Sequence, residues 1–248
     1  MGPVCRASAR PGGSRLTESL GAPFVVIERE GSPEELLSAA YRMWDTRTAV
    51  VCQPTSPGLV LGSAQRESSF DLARCGAAGL DVVRRRSGGG AVVVRPGAQI
   101  WLDFFVPRHD PLFDEDVLAS FGFVGEIWKA ALLDSLPTVP PLSLAVARGA
   151  AVATSWSATL CFGGLGAGEV TIDGRKVVGV SQRRDRNGAW FHSMALVEFD
   201  PAELTSLLAG PEGRRIEAAA WLAGSAAGVP GGLETAPALT SSIVARLG

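Results

Sequence analysis

The 248 residues carry 23 basic against 25 acidic side chains, a formal charge of −2 that gives no global field for nucleic acid or an anionic membrane. That length suits one domain with a substantial core, and the charge balance points to a small ligand or a protein partner, with anion binding left to local clusters. Cys5, Cys52, Cys75 and Cys161 are widely spaced, without a Cys-x-x-Cys pair and with only His109 and His192 to assist, which argues against a metal site and for a reduced, cytoplasmic setting.

Residues 1–22 read as a flexible leader, arginine- and glycine-bearing, with Glu18 as its only acid and without the amphipathic pattern of a transit peptide. Gly2 invites a myristoylation check, but Arg6 stands where serine or threonine is wanted. No apolar run approaches the ~20 residues of a membrane span, so a soluble chain is expected. Residues 24–27 predict an opening strand. Ser32-Pro33-Glu34-Glu35 predicts a helix start, with Ser32 as N-cap, Pro33 at the first helical position and Glu35 completing a capping box. Leu36, Leu37, Ala40, Met43 and Trp44 then fall on one face and form a core stripe. Strands at 49–52 and 59–61 flank a Pro54/Pro57 loop. A short helix over 70–75, ended by Gly76 and Gly79, leads into the next strand.

Val82-Val83-Arg84-Arg85-Arg86-Ser87-Gly88-Gly89-Gly90-Ala91-Val92-Val93-Val94 reads as strand, loop, strand. Three glycines let the backbone take positive φ and bring its N–H groups close to a ligand, while the arginines supply charge for a phosphate or carboxylate. No Gly-Lys-Ser/Thr follows and the next segment is β-branched, so this is neither a Walker loop nor a dinucleotide fingerprint. A glycine-rich hairpin with solvated arginines is the plainer alternative. Residues 99–106 predict a buried strand. Asp114-Glu115-Asp116 predicts the first turn of a helix reaching about Leu133, with Leu118, Phe121, Val124, Ile127, Trp128, Ala131 and Leu132 inward.

Weak strand signals follow at 144–146 and 152–154. Residues 169–172 and 175–181 predict a hairpin across Asp173-Gly174, a pair that supplies the positive φ values of a type I′ turn. Asn187-Gly188 predicts a second two-residue turn into a strand over 190–199. On that register His192 pairs with Arg183 and Lys176 with Phe199, placing the two side chains on opposite faces unless a bulge or longer turn intervenes. Asp200-Pro201 opens a short helix with Leu204, Leu207 and Leu208, before Arg214-Arg215 and an Ala/Gly-rich end.

Lys176 and Lys129 are the only lysines beside 21 arginines (23 − 2). A compact ammonium can donate to an acyl carbonyl and a phosphate oxygen together, which the planar guanidinium does differently. Lys176 is expected at an exposed hairpin position. Cys161 precedes the flexible run Gly163-Gly164-Leu165-Gly166-Ala167-Gly168, which ends at Glu169. A thiol needs a nearby cation to act as a nucleophile, and Lys176 is the candidate, with a small buried hydrophobe as the alternative reading of Cys161.

The glycine stretch resembles the Arg-Arg-x-Ser-Gly-Gly-Gly-Ala-Val motif of the lipoate–protein ligase A family, which includes the cysteine-dependent octanoyltransferases. A second block is similar in the same order: Cys161-Phe162, Glu169-Val170, Gly174-Arg175-Lys176-Val177-Val178-Gly179-Val180-Ser181-Gln182, and His192. The resemblance runs from about residue 50 to about residue 199. It implies an α/β (α+β) domain over 23–200, a mixed, largely antiparallel sheet flanked by helices of the biotin/lipoate ligase and class II synthetase type. Residues 201–248 would be a short helical extension of the same domain, too short for the accessory domain many family ligases carry.

The resemblance further implies an enzyme that attaches an octanoyl or lipoyl group to a lysine of a lipoyl carrier domain, as in 2-oxoacid dehydrogenases or the glycine cleavage H protein. Lys176 and Cys161 would be catalytic. Arg84, Arg85, Ser87, Gly88, Gly89, Gly90, Gly62, Gln65, Gly179 and His192 would bind the acyl chain or an adenylate. Two mechanisms stay open: acyl transfer through a Cys161 thioester with no tightly bound cofactor, which leads, and ATP-dependent ligation with ATP and magnesium as co-substrates. A non-catalytic carrier-binding protein is a third reading, and an accessory subunit a further partner. The chain has Ser193-Met194 where the transferases usually have glycine then serine, and Gly168-Glu169 where many ligases have Asn-Asp.

Overall fold

The computed structural model describes residues 21–39 and 45–248, so residues 1–20 of the expected leader and the expected stripe positions Ala40, Met43 and Trp44 lie outside the described residues. In chain order the elements are β1 (Val25–Gly31), α1 (Pro33–Ala39), β2 (Thr48–Pro54), β3 (Gly58–Leu61), α2 (Leu72–Ala77), β4 (Asp81–Arg84), β5 (Val92–Val94), β6 (Gln99–Pro107), α3 (Gly122–Ser135), β7 (Leu144–Val146), β8 (Val170–Ile172), β9 (Arg175–Arg184), β10 (Gly188–Leu196), α4 (Pro201–Thr205), α5 (Glu212–Ser225) and α6 (Gly232–Leu247). Seven strands form one sheet in the order β1-β2-β6-β10-β9-β8-β7, antiparallel except where β1 joins β2. A second sheet has the order β4-β3-β5. This is the expected mixed α/β architecture with a largely antiparallel sheet flanked by helices.

β6 is buried at every position because both faces of the large sheet are covered. Its Ile100, Leu102, Phe104 and Val106 pack with Ile127 and Trp128 of α3 and with Leu239 and Ile243 of α6. Trp101 points the other way, into a second core shared with Leu36 and Leu37 of α1, the small sheet and Leu222 of α5. The period-two alternation of a strand makes this division, and the functional side chains lie on the second face.

Local chemistry accounts for most boundaries. The Ser32 N–H donates to Glu35 Oε2 at 2.8 Å and the Glu35 N–H to Ser32 Oγ at 3.3 Å, which is the expected capping box on α1. Asp173 and Gly174 have φ values of 50° and 75°, as a type I′ turn between β8 and β9 requires. The expected helix over 114–133 is corrected: α3 begins at Gly122. Asp114 Oδ1 accepts from the Asp116 N–H, and Asp116 Oδ1 from the N–H groups of Leu118 and Ala119, so these carboxylates fold the backbone into turns. Leu118 is consequently 44% exposed instead of inward.

The β9–β10 register also differs from expectation. Ala189 pairs with Arg184, residues 185–188 make a four-residue turn closed by the Asp185 N–H on the Gly188 carbonyl, and His192 stands opposite Ser181 rather than Arg183. Between β8 and β9, Val170 pairs with Val178 but Thr171 with Lys176, so β9 carries one extra residue. That bulge reverses the side-chain parity of Lys176 relative to the rest of β9. Among the described residues no helix is long and apolar enough to cross a membrane.

Candidate active site

The glycine stretch is not a hairpin. β4 lies parallel and β5 antiparallel to β3, so residues 85–91 cross the C-terminal end of β3. The crossing is fastened by the Arg85 N–H on the Leu61 carbonyl and the Ser63 N–H on the Ser87 carbonyl, both at 2.9 Å. The buried Arg85 guanidinium turns back on its own loop, donating through Nη2 to the carbonyls of Gly88 at 2.7 Å and Gly90 at 2.8 Å. Gly89 has φ +95°, which favours glycine. At Gly90 a Cβ would lie 2.3 Å from the Leu160 carbonyl carbon and 2.6 Å from the Cys161 nitrogen. The loop and the Cys161 segment are therefore in backbone contact, sealed by Ala91 N–H to Thr159 O and Cys161 N–H to Ala91 O, each 2.9 Å.

Cys161 opens a single 3-10 turn, Cys161–Gly163, whose last carbonyl accepts from Trp221 Nε1 of α5 at 3.0 Å. Lys176 meets this turn from β9. It is 3% exposed, and its Nζ donates to Cys161 O at 2.6 Å, Gly164 O at 3.2 Å and Glu169 Oε1 at 2.7 Å. The exposed position expected for Lys176 is thus corrected. The bulge in β9 aims it inward, and the Ala227 N–H on the Lys176 carbonyl covers the strand from the α5–α6 connection. A Cβ on Gly179 would lie 3.3 Å from Cys161 Sγ and 3.4 Å from Lys176 Cε, so glycine there makes room for thiol and ammonium to approach.

Glu169 completes the cluster at 5% exposure. Its Oε1 also accepts from the Val180 N–H at 3.2 Å and its Oε2 from the Gly166 N–H at 2.7 Å. Burial pushes its carboxyl above the ordinary carboxylate range, and the charge and hydrogen bonds of Lys176 with the two N–H groups pull it back only in part.

Two cavities adjoin at Cys161. A wide one of about 300 Å³ is walled by Gly88, Gly89, Gly90, Lys176, Glu169 and Gln182, with Leu118, Phe121 and Val152 among its apolar walls. A narrow one of about 40 Å³ is lined by Leu37, Val60, Val92, Trp101, Met194 and His192. Arg85, Cys161, Val180 and Ser181 belong to both. His192 Nδ1 lies 2.8 Å from Asp103 Oδ1, which also accepts from Trp101 Nε1 at 2.7 Å. A carboxylate beside Nδ1 fixes how the ring presents its other nitrogen.

The structure therefore gathers Cys161, Lys176, Arg85, Gly88, Gly89 and Gly90 around the wide cavity and places Gly179 and His192 on the narrow one. Ser87 is buried behind the wall, its Oγ 2.9 Å from that of Ser181. Gly62, Gln65 and Arg84 stand outside both walls as braces. Gln65 Oε1 accepts from the Gly62 N–H at 2.8 Å, its Nε2 reaches Thr159 O at 2.9 Å, and Arg84 Nη1 donates to Gly62 O at 3.0 Å. With Arg86, Arg84 lines a separate outer depression beside Glu34.

Sequence reasoning gave no role to Glu169, Asp103, Ser181 or Gln182. Asp103 did carry a signal, as the only charged residue in the nine-residue apolar run of β6. Glu169 carried its place after the glycines and within the second family-like block, between Cys161 and Lys176.

A family model described as the lipoyl protein ligase A/B catalytic domain matches residues 33–224. Octanoyltransferase LipM of Clostridioides difficile (strain 630) is 25% identical over 178 residues, 71% of this chain, and the match spans only 63% of that relative's length. Among solved structures, a bi-partite lipoate protein ligase from Thermoplasma acidophilum, studied with its E2 lipoyl domain, superposes with a TM-score of 0.64 at 18% identity, covering 91% of this chain and 84% of its own. A lipoate-protein ligase A bound with ATP gives 0.60 at 17% identity, covering 91% and 85%. These two share the fold. The span matched by the family model contains the glycine loop, Cys161, Lys176 and His192, and the chain belongs to the lipoyl protein ligase A/B catalytic domain family.

Proposed function

We propose that this chain transfers an octanoyl or lipoyl group to a lysine of a lipoyl carrier domain, with Cys161 holding the acyl group as a thioester between donor and acceptor. The observation that carries the reading is the place of Cys161 in the wall common to a narrow apolar cavity and a wide one that also carries Lys176 and Glu169, with the Lys176 ammonium 2.6 Å from the Cys161 carbonyl oxygen. The narrow cavity suits the tail of an acyl chain, and the wide one gives donor and acceptor access to its carbonyl carbon. In the first half-reaction the Cys161 thiolate attacks the donor thioester, and the donor thiol leaves with a proton. In the second, the neutral amine of the carrier lysine attacks the Cys161 thioester, the amide forms and the Cys161 thiol is restored. Lys176 places a positive charge where oxyanion character develops. The similarity to an octanoyltransferase supports this route, which uses no ATP. Lipoyl domains of 2-oxoacid dehydrogenases and the glycine cleavage H protein are the carrier class, and a reducing cytoplasm would keep the thiol free.

One observation favours a second reading, ATP-dependent ligation through an acyl-adenylate. The wide cavity is walled by three successive glycines and Lys176, a surface suited to a phosphate, with magnesium accompanying the nucleotide. Against Arg85 as the phosphate ligand stands its engagement with the Gly88 and Gly90 carbonyls.

Incubation with an octanoyl carrier thioester in the absence of ATP, followed by intact mass measurement, tests the choice. The thioester route leaves a hydroxylamine-sensitive octanoyl adduct that Cys161→Ser abolishes together with transfer. A Cys161→Ser variant that stays active and strictly ATP-dependent would overturn it.

A further inference from the structure

We propose that Glu169 is a positioning residue for Lys176: its carboxylate keeps the ammonium docked on the Cys161 turn, and an acyl carbonyl reaches Lys176 by displacing the carbonyl of Gly164. The inference rests on reading Cys161 and Lys176 as the acyl-transfer pair.

An ammonium has three N–H donors, and those of Lys176 meet three acceptors, the carbonyls of Cys161 and Gly164 and Glu169 Oε1. A substrate carbonyl can therefore gain this cation only by replacing one of them. The Gly164 contact, 3.2 Å against 2.6 and 2.7 Å, is the weakest, and Gly164 forms part of the wide cavity's wall. It also belongs to a glycine-rich run, in which the backbone can shift at low cost. Glu169 is held against such a shift by β9, where the Val180 N–H donates to the same Oε1 that Lys176 meets. The fixed anion thus holds Lys176 beside Cys161 while the third donor changes partner.

With only Lys129 and Lys176 in the chain, isotope-labelled lysine gives a two-signal ammonium spectrum, assigned by Lys176→Met. The parent should show a slowly exchanging Lys176 signal that moves when Cys161 is octanoylated, while Lys129 stays put. Glu169→Gln should lose that signal and reduce kcat by between about 10-fold and about 100-fold with KM for the octanoyl donor little changed, and Glu169→Asp should recover part of the loss. A Glu169→Gln variant with an unchanged Lys176 signal and near-parent kcat would overturn the proposal, as would a Lys176 signal indifferent to acylation. If Glu169→Gln fails to fold, the double variant Glu169→Gln/Lys176→Met should regain the stability of Lys176→Met, since the fault lies in an uncompensated buried cation. A double variant as unstable as the single one would count against the pairing. Should the parent form no Cys161 adduct while the Lys176 signal still depends on Glu169, the acyl-transfer reading fails and the pairing stands.

Discussion

The side-chain oxygens of Ser87 and Ser181 lie 2.9 Å apart and fasten the glycine loop to the strand that carries Lys176. Ser87 is fully covered, whereas Ser181 belongs to the walls of both cavities. Ser87→Ala removes one member and leaves the other without its partner, which should cost about 1–2 kcal/mol and slow acyl transfer severalfold. Urea unfolding and a transfer assay check it. Parent-like values in both would show that the hydroxyl pair does not couple loop to strand.

Adjacent glycines of the loop should behave differently. Gly88 has open space where a Cβ would go, so Gly88→Ala should stay within about 0.5 kcal/mol of the parent. Gly90→Ala would drive its methyl into the backbone of Leu160 and Cys161, which cannot yield as a flexible side chain would. Its cost should reach about 2–3 kcal/mol, with the Cys161 turn displaced. Equal thermal midpoints for the two variants would contradict the backbone contact.

At Gly179 the expected effect falls on reactivity more than on stability. An added methyl would lie 3.3 Å from Cys161 Sγ and 3.4 Å from Lys176 Cε, tight but open to small adjustment. Gly179→Ala should hold its thermal midpoint within a few degrees while Cys161 alkylation by iodoacetamide slows severalfold, and Gly179→Val should abolish transfer. An alanine variant that is alkylated at the parent rate would show that the thiol is approached from elsewhere.

Much of this arrangement is legible in the sequence wherever a local rule decides the backbone. Asp173-Gly174 specifies its turn because both central φ values are positive, and Ser32 with Glu35 specifies the start of α1 through its own hydrogen bonds. The order of Cys161, Lys176 and His192 around the glycine loop is legible from the motif. The inward aim of Lys176 is not, because it depends on one extra residue within Val177-Val178, and a β-branched pair reads alike with or without a bulge. Nor is the burial of Lys176, since its acceptors come from residues 161, 164 and 169, whose approach is a tertiary matter. The start of α3 is not legible for a related reason: aspartates that suit a first helical turn equally suit the capped turns they make at 114–119.

Burial holds the Glu169 carboxyl above its ordinary range, so the folded chain binds that proton more tightly than the unfolded one. Over the window between the unfolded carboxylate value and the raised folded one, the folded state carries the greater proton count. Stability contributed at this site therefore falls as pH rises through the window and levels off above it. Lys176 is the charge that limits the rise. Lys176→Met removes it while keeping the space filled, so the window should extend upward and the loss of stability continue towards neutral pH. Urea midpoints between about pH 4 and about pH 8 should show a steeper fall for Lys176→Met than for the parent. The double variant Lys176→Met/Glu169→Gln, which lacks the titrating group, should be free of that extra slope. Lys176→Met and the double variant tracking each other across the whole range would mean that Glu169 does not titrate there, and that the ammonium is not what keeps its charge in the protein interior.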